Sequence, residues 1–524
     1  MATSASGYHL GGPLRSSKLN GWLRTVRPLF SATASSVLGE SRLDYAGLMR
    51  RICEGLQPAV LQAKYDKFHP NVLIMNDPAH TMQHPYLSMN ITEKADLVLA
   101  DKEDPCCRTK PLFAVVTGMG RGKTRFCVEL DWELKRRSNV VSIPITFNCF
   151  WDDFDRTFEN RRIDYAVNIV SRMLSIHYGM PFKHIVDRIT SICLRPIKRE
   201  IENMPAVFSE AFIRAAVRHI VEQMSAAGRQ VEHFVLIVDE SKRAEEMLGN
   251  HAHDTLRCAL LNTPIDYLDL QPQAIPNVHL VMTSLNLKAT GVTSSGRTIE
   301  AISLPASLDA EEVFDRWVQR YVPEVSTLSE GAKMRIRFLI VMFATTPRAV
   351  EVLCGYLSDR YYGPDRTTNG AAELESASFA ELFRDVQEAL SERYQNSNFV
   401  MTAKPFRGLL FNKKFKVDDT FLQGILNSVW TNAFAAISPN VNVVPQTSIG
   451  AAYRQAVACD YPYTQPVAEA VHLLLKHLNT PASGSEYVEN TLEIISRALI
   501  NCRVAVNGAA GESLPLYELL GFDS

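Results

Sequence analysis

The sequence predicts an α/β fold: a parallel sheet flanked by helices, then a helical lid and a mainly helical C-terminal region. Three observations predict it. Between residues 111 and 305, short apolar runs alternate with helical patterns, as in a parallel sheet covered on both faces. The first run, Pro111 to Thr117, ends in glycines and leads into a helical pattern. After Pro305 the strand signals fade and helical spacing takes over.

The elements follow in order. Residues 1–39 contain no acid and carry Arg15, Lys18, Arg24 and Arg27 among Ser, Ala and Gly. They lack an apolar stretch, which argues against a secretory signal. Three readings stay open for this arm: a disordered tail, a mitochondrial transit peptide, or a tail that touches phosphates. Residues 40–110 mix short helical patterns with loops such as Asn76-Asp77-Pro78. The core is expected over 111–305. Its strands are Pro111–Thr117, Val140–Phe147, Phe234–Val238, Val278–Met282 and Thr298–Leu304. The clearest helices are Thr124–Arg137, Tyr165–Tyr178 and Glu210–Met224. A lid is expected over 306–360: one helix opened by Leu308-Asp309, then two flanking Thr345-Thr346-Pro347. Residues 361–524 read as mainly helical. Tyr361–Ser378 looks like a linker and Thr480–Ser485 like a second break.

Composition bounds the function. With 524 residues and 46% hydrophobic content, the chain can bury a sizeable core. Lys+Arg 55 against Asp+Glu 57 leaves a net charge of −2, which does not indicate nucleic-acid binding, although a local basic patch stays open. The apolar run Phe338–Ala344 is far short of the roughly 18 residues of a membrane-spanning helix. The ten cysteines include no CxxC pair and fit reduced thiols in an intracellular protein. Nucleus and cytoplasm are both expected, and the acid-free arm adds the mitochondrion.

The strongest motif is Thr117-Gly118-Met119-Gly120-Arg121-Gly122-Lys123-Thr124, where a strand ends and a helix begins. Glycines let the backbone curl around phosphates and aim N–H groups at them. The helix N-terminus adds partial positive charge. Lys123 can reach the β- and γ-phosphates of ATP, and the Thr124 hydroxyl can hold Mg²⁺. The phosphate-loop pattern G-x-x-x-x-G-K-[ST] has Thr117 at its first glycine position, with Gly118 one residue late. The expected nucleotide-contacting set is Gly118, Met119, Gly120, Arg121, Gly122, Lys123, Thr124 and Arg125. The plain alternative is a glycine-rich turn with a surface lysine.

The second motif, Phe234-Val-Leu-Ile-Val-Asp239-Glu240, puts two carboxylates at the C-terminal end of a buried strand. Ligands of open α/β sheets bind at that end. Asp239 is expected to hold Mg²⁺ and Glu240 to polarise the attacking water. Thr283-Ser284, ending the fourth strand, are candidates to sense the γ-phosphate. Thr346-Pro347-Arg348 opens a helix, from which Arg348 could reach over the nucleotide; a simple helix start is the alternative. His251, His253, Asp254 and Cys258 invite a metal reading, but zinc-ligand spacing is absent. Lys135-Arg136-Arg137 suits a helix C-terminus.

Together the four motifs resemble the additional-strand P-loop NTPases, in particular the AAA+ and STAND ATPase core, over about residues 111–360. The strings Gly122-Lys-Thr-Arg125, Ile145-Thr-Phe-Asn148 and Ile302-Ser-Leu-Pro305 resemble the Crinkler and retrotransposon hot spot type of NTPase module. Modules of that kind often carry an effector domain, but no PD-(D/E)xK arrangement follows residue 380, so a nuclease is not implied. The resemblance implies a nucleotide-driven switch that binds Mg-ATP, hydrolyses it, and acts on a protein partner or by self-association. The rivals are a nucleotide-binding interaction protein without turnover, and a P-loop kinase or GTPase. No guanine-reading Asn-Lys-x-Asp motif is present.

Overall fold

Five strands run parallel in the order β2-β3-β4-β1-β5. They are β1 (Leu112–Val116), β2 (Val140–Thr146), β3 (His233–Asp239), β4 (Asn277–Ser284) and β5 (Ile299–Ala301). The computed structural model describes residues 43–56, 90–100, 111–117, 120–147, 158, 160–241, 243–244, 252–261, 277–284, 299–304, 308–322, 324–343, 346–362 and 370–393. Beyond these it describes 415–416, 431–435, 442–447, 493, 496–497, 500 and 504. The arm 1–39, the loop 76–78, Gly118, Met119, His251 and the break 480–485 lie outside the described residues.

The chain divides into two compact units, residues 1–48 and 49–524. In the first, the described residues begin helix α1 (Tyr45–Cys53), and the Asp44 carboxylate accepts the Gly47 N–H at 2.8 Å as its cap. Everything below belongs to the second.

Alternation along each strand puts successive side chains on opposite faces. Phe113 and Val115 of β1, Val235 and Ile237 of β3, and Val281 of β4 share one buried cluster with two helices. These are α2 (Ile91–Leu99), which contributes Ala95 and Val98, and α3 (Lys123–Lys135), which contributes Phe126, Leu130 and Leu134. The alternate residues Phe234, Leu236 and Val238 are equally buried, so helices cover both faces of the sheet.

The excursion between β2 and β3 holds α4 (Arg161–Tyr178), α5 (Phe182–Arg188), α6 (Lys198–Asn203) and α7 (Pro205–Ala226). α4 starts on Asn160, whose side chain accepts the Arg162 N–H at 2.9 Å. It ends on Gly179 at φ 62°, where Met180 N–H bonds Ser175 O at 3.0 Å. Glycine takes that left-handed conformation without penalty. Pro205 opens α7, where its missing N–H costs nothing. One further helix, α8 (Ala252–Leu260), precedes β4.

After the sheet come α9 (Ala310–Val313, continuing through a π turn at Phe314–Val318 to Gln319–Tyr321), α10 (Glu330–Phe343), α11 (Pro347–Tyr362), α12 (Gly370–Ser376) and α13 (Phe379–Arg393). Asp309 caps the first, accepting the Glu312 N–H at 2.8 Å. A single hydrophobic cluster runs from Val313 to Leu390 and includes Trp317, Phe343, Leu353, Tyr361, Leu374 and Phe383. Much of the stretch read as a linker is therefore helix: Tyr361 and Leu374 are core residues, and only 363–369 lie outside the described residues. The polar letters around Leu374 hide an amphipathic turn too short for periodicity to reveal. The C-terminal region also holds β6 (Phe415–Lys416), β7 (Thr431–Ala435) and β8 (Asn442–Thr447), in an antiparallel sheet of order β6-β8-β7. No strand was expected there; Pro445 within β8 and the short runs mute the signal. The result is an α/β fold: a five-stranded parallel sheet flanked by helices.

Candidate functional site

The parallel register aligns the C-terminal ends of four strands. Val116 pairs with Ser284, Val238 with Met282, and Thr146 with Asp239. Because β4 lies between β1 and β3, a β4 residue stands between the glycine loop and the acidic strand end.

Thr117 continues the ladder: its N–H donates to Ser284 O at 3.2 Å. It needs no left-handed backbone, so threonine serves at the motif's first glycine position. Among the described loop residues, positive φ falls on Gly120, at 74°, and Gly122, at 88°. An L side chain would be strained at both, which is why glycines stand there. Gly122 starts α3, and its carbonyl accepts the Phe126 N–H at 2.8 Å.

Lys123 Nζ donates to Thr117 O at 3.2 Å and lies 4.0 Å from Glu240 Oε1. Burial pulls the ammonium below the usual lysine range, Glu240 and Asp239 oppose that pull, and Arg348 adds to it. The ammonium is thus an inward-facing charge in the carboxylate cluster, which a surface lysine on a glycine turn would not be.

Asp239 is the centre of the site and is fully buried. Its Oδ2 accepts the hydroxyls of Thr124 at 2.9 Å and Thr146 at 3.3 Å. Its Oδ1 accepts the hydroxyl of Thr283 at 2.6 Å and faces Cys127 Sγ at 3.9 Å. Burial, with Asp239 and Glu240 nearby, pushes the Cys127 thiol well above its usual range, so it stays protonated beside the carboxylate. A buried carboxylate with this many donors is held in one rotamer.

Glu240 has φ 52°, the one positive φ at a non-glycine among the described residues. Such a backbone costs about 1–3 kcal/mol and gathers at functional sites. The left-handed turn ends β3 and swings the carboxylate toward Lys123. Glu240 N–H donates to Thr283 Oγ1 at 3.2 Å, and Ser241 Oγ donates to Thr283 O at 2.9 Å. Thr283 therefore links Asp239 to the backbone of Glu240. Ser284 is also buried, with its carbonyl on Thr117; alternation puts its side chain on the face opposite that of Thr283.

Arg348 N–H donates to Gly120 O at 3.1 Å, so the start of α11 is tied to the glycine loop by backbone. Thr346 Oγ1 caps that helix by accepting the Ala349 N–H at 3.2 Å. The Arg348 side chain is partly exposed and pairs with Glu351 at 3.4 Å. Arg121 is buried. Arg125 is buried in an ion pair with Glu129, one turn along α3. Arg125→Met is expected to leave the Glu129 carboxylate buried without that partner and to cost about 3–5 kcal/mol of stability. Urea unfolding checks it; a large loss of nucleotide affinity with unchanged stability would instead assign Arg125 to the nucleotide.

Sequence reasoning missed Thr146 and Arg172. Thr146 enters the sequence reading only within the string Ile145-Thr-Phe-Asn148 and Arg172 not at all; the register Thr146↔Asp239 puts the first beside the carboxylate, and a hydrogen bond to Thr146 O brings in the second. Among the described residues no group of three or more His, Cys, Asp or Glu could hold a metal, and no helix is long and apolar enough to cross a membrane.

No family model matches the chain, and no curated protein matches it. Among solved structures it is similar to Cdc6p from Pyrobaculum aerophilum, at 12% identity and a TM-score of 0.32, over 86% of this chain and 99% of that one. A likeness at that level adds no weight to the geometry of the site.

Proposed function

We propose that this chain binds Mg-ATP at the C-terminal edge of the parallel sheet and hydrolyses it, acting as a nucleotide-driven switch of the additional-strand, AAA+ or STAND-like class. One observation carries the reading: Lys123 and Thr124, from the glycine loop, meet Asp239 and Glu240, from the end of β3, with Thr283 of the inserted β4 between them. In this reading Gly120, Gly122 and the first turn of α3 cradle the phosphates, with Gly118 and Met119 completing the loop. Lys123 leaves Thr117 O for the phosphates. Thr124 and Asp239 fit Mg²⁺: a hydroxyl and one buried carboxylate suit a small hard cation that keeps waters and phosphate oxygens. When bound, the ion supplies charge neutralisation across the β- and γ-phosphates. Glu240, released from Lys123, polarises a water. Thr283 keeps that carboxylate and Asp239 in fixed relation. Ser284 supports the loop through its carbonyl.

Arg348 belongs to the lid half of the switch, over the γ-phosphate. Arg348→Ala is expected to narrow the difference in affinity between ATP and ADP and to leave ADP binding nearly unchanged, because the backbone bond to Gly120 survives the substitution. Calorimetry with both nucleotides checks it; unchanged affinities for both would leave Arg348 as a helix start.

The narrower likeness to Crinkler-type modules rests on its three strings, which fall at the start of α3, the end of β2 and just past β5. A protein partner or self-association would receive the switch. A second reading, nucleotide binding without turnover, is favoured by the Lys123–Glu240 pair, which occupies the base. Phosphate release by the purified chain with Mg-ATP decides between them: steady release above a Lys123→Ala control supports hydrolysis, and binding without release supports the second reading.

A further inference from the structure

The end of β2 is tied to Asp239 twice: by the Thr146 hydroxyl on Oδ2 at 3.3 Å, and by Phe147 N–H on Asp239 O at 3.2 Å, which continues the Thr146↔Asp239 register. β2 is an edge strand, so nothing in the sheet supports it from its other side. The support comes from Arg172 on α4. Its Nε–H donates to Thr146 O at 3.1 Å. Its guanidinium lies over two rings, 4.8 Å from the centroid of Phe147 and 4.2 Å from that of Phe182 on α5. Phe147 stacks in turn on Tyr165 of α4, with centroids 6.3 Å apart and planes 9° apart. Arg172 is only 4% exposed. A buried guanidinium is costly to place, and one that donates to a carbonyl while lying against two aromatic faces fixes that carbonyl closely.

We propose that Arg172 is a positioning residue for the Mg²⁺-binding carboxylate: it acts through Thr146 and Phe147 to hold Asp239, and it makes the helical excursion between β2 and β3 part of the nucleotide site. The proposal rests on the Mg-ATP reading above. Its consequence is directional. A partner or a second copy that shifts α4 and α5 would move Thr146, and with it the carboxylate, without touching nucleotide. Lysine could not substitute, because it lacks both the flat cation and the Nε donor.

The test is ATP binding to the full chain, titrated with Mg²⁺ and repeated in chelator. Arg172→Met keeps the length and apolar stem, and Thr146→Val removes only the hydroxyl. Both are expected to raise the Mg²⁺ concentration for half-maximal enhancement roughly tenfold or more, the usual effect of losing a group behind a metal ligand. ATP affinity in chelator should stay unchanged, and Thr146→Ser should behave as wild type. The double variant should add little to the larger single effect, since the two act in one chain. A second readout needs no ion: the Phe147 amide should exchange faster in Arg172→Met. Should that variant fail to fold, Phe182→Leu removes only the outer ring and should shift both readouts the same way. Folded Arg172→Met with wild-type Mg²⁺ dependence and wild-type exchange overturns the proposal. Wild-type chain whose ATP binding ignores Mg²⁺ overturns the nucleotide reading first, which separates the two failures.

Discussion

Glu240→Gln is expected to keep ATP bound and to lose on the order of 10²–10⁴ in phosphate release, the range for a removed general base. The Glu240 carboxylate directly follows that of Asp239, yet the two face different partners: Asp239 is enclosed by hydroxyls, while Glu240 points to Lys123. The left-handed backbone at Glu240 makes that divergence. Glutamine preserves the shape and the Glu240 N–H bond to Thr283, so binding should survive or tighten as Lys123 loses its competing partner. A companion, Glu240→Gly, relieves the backbone strain and should melt no lower than wild type while losing the same activity. Phosphate release by Glu240→Gln at the wild-type rate would remove Glu240 from the role.

Lys123→Ala is expected to abolish ATP binding at concentrations that saturate the wild type, with the fold intact. Each charge-assisted hydrogen bond from the ammonium to a phosphate oxygen contributes roughly 1.5–3 kcal/mol, and the side chain can make more than one. The fold should tolerate the loss. Burial already disfavours the charged lysine, and its contacts to the Thr117 carbonyl at 3.2 Å and the Glu240 carboxylate at 4.0 Å join strand ends that the sheet register fixes independently. Circular dichroism and calorimetry check both halves; equal ATP affinity would place the phosphates elsewhere.

The sheet and the centre of the site were legible because local sequence determines them. A β-branched run ended by glycines and a lysine, and a second ended by two acids, announce strand ends whose chemistry is adjacent in sequence. The first four strands shifted by one or two residues at their bounds, β5 stops at Ala301 rather than Leu304, and Thr283 and Ser284 end β4 as their place after the apolar run suggests. What stayed hidden depends on pairing across the fold. Thr146 reaches Asp239 only because β2 lies beside β3 in that register. Arg172 gains its role from two aromatic rings on separate elements. Arg125 reads as a phosphate contact by position, and only the structure shows its pairing with Glu129. The helix at 370–376 was obscured by polar composition, although Leu374 is buried in the core and Ala371 packs against it.

The central claim is that Lys123, Thr124 and Asp239 form one Mg-nucleotide site. The measurement that tests it most directly is calorimetric titration of ATP into wild type and Asp239→Ala, each with Mg²⁺ and with chelator. The account predicts one ATP per chain, bound more tightly with Mg²⁺ in the wild type, and a Mg²⁺ enhancement that disappears in Asp239→Ala while binding in chelator persists. An Asp239→Ala chain that keeps the full Mg²⁺ enhancement, or a wild-type chain that binds no ATP, would contradict it.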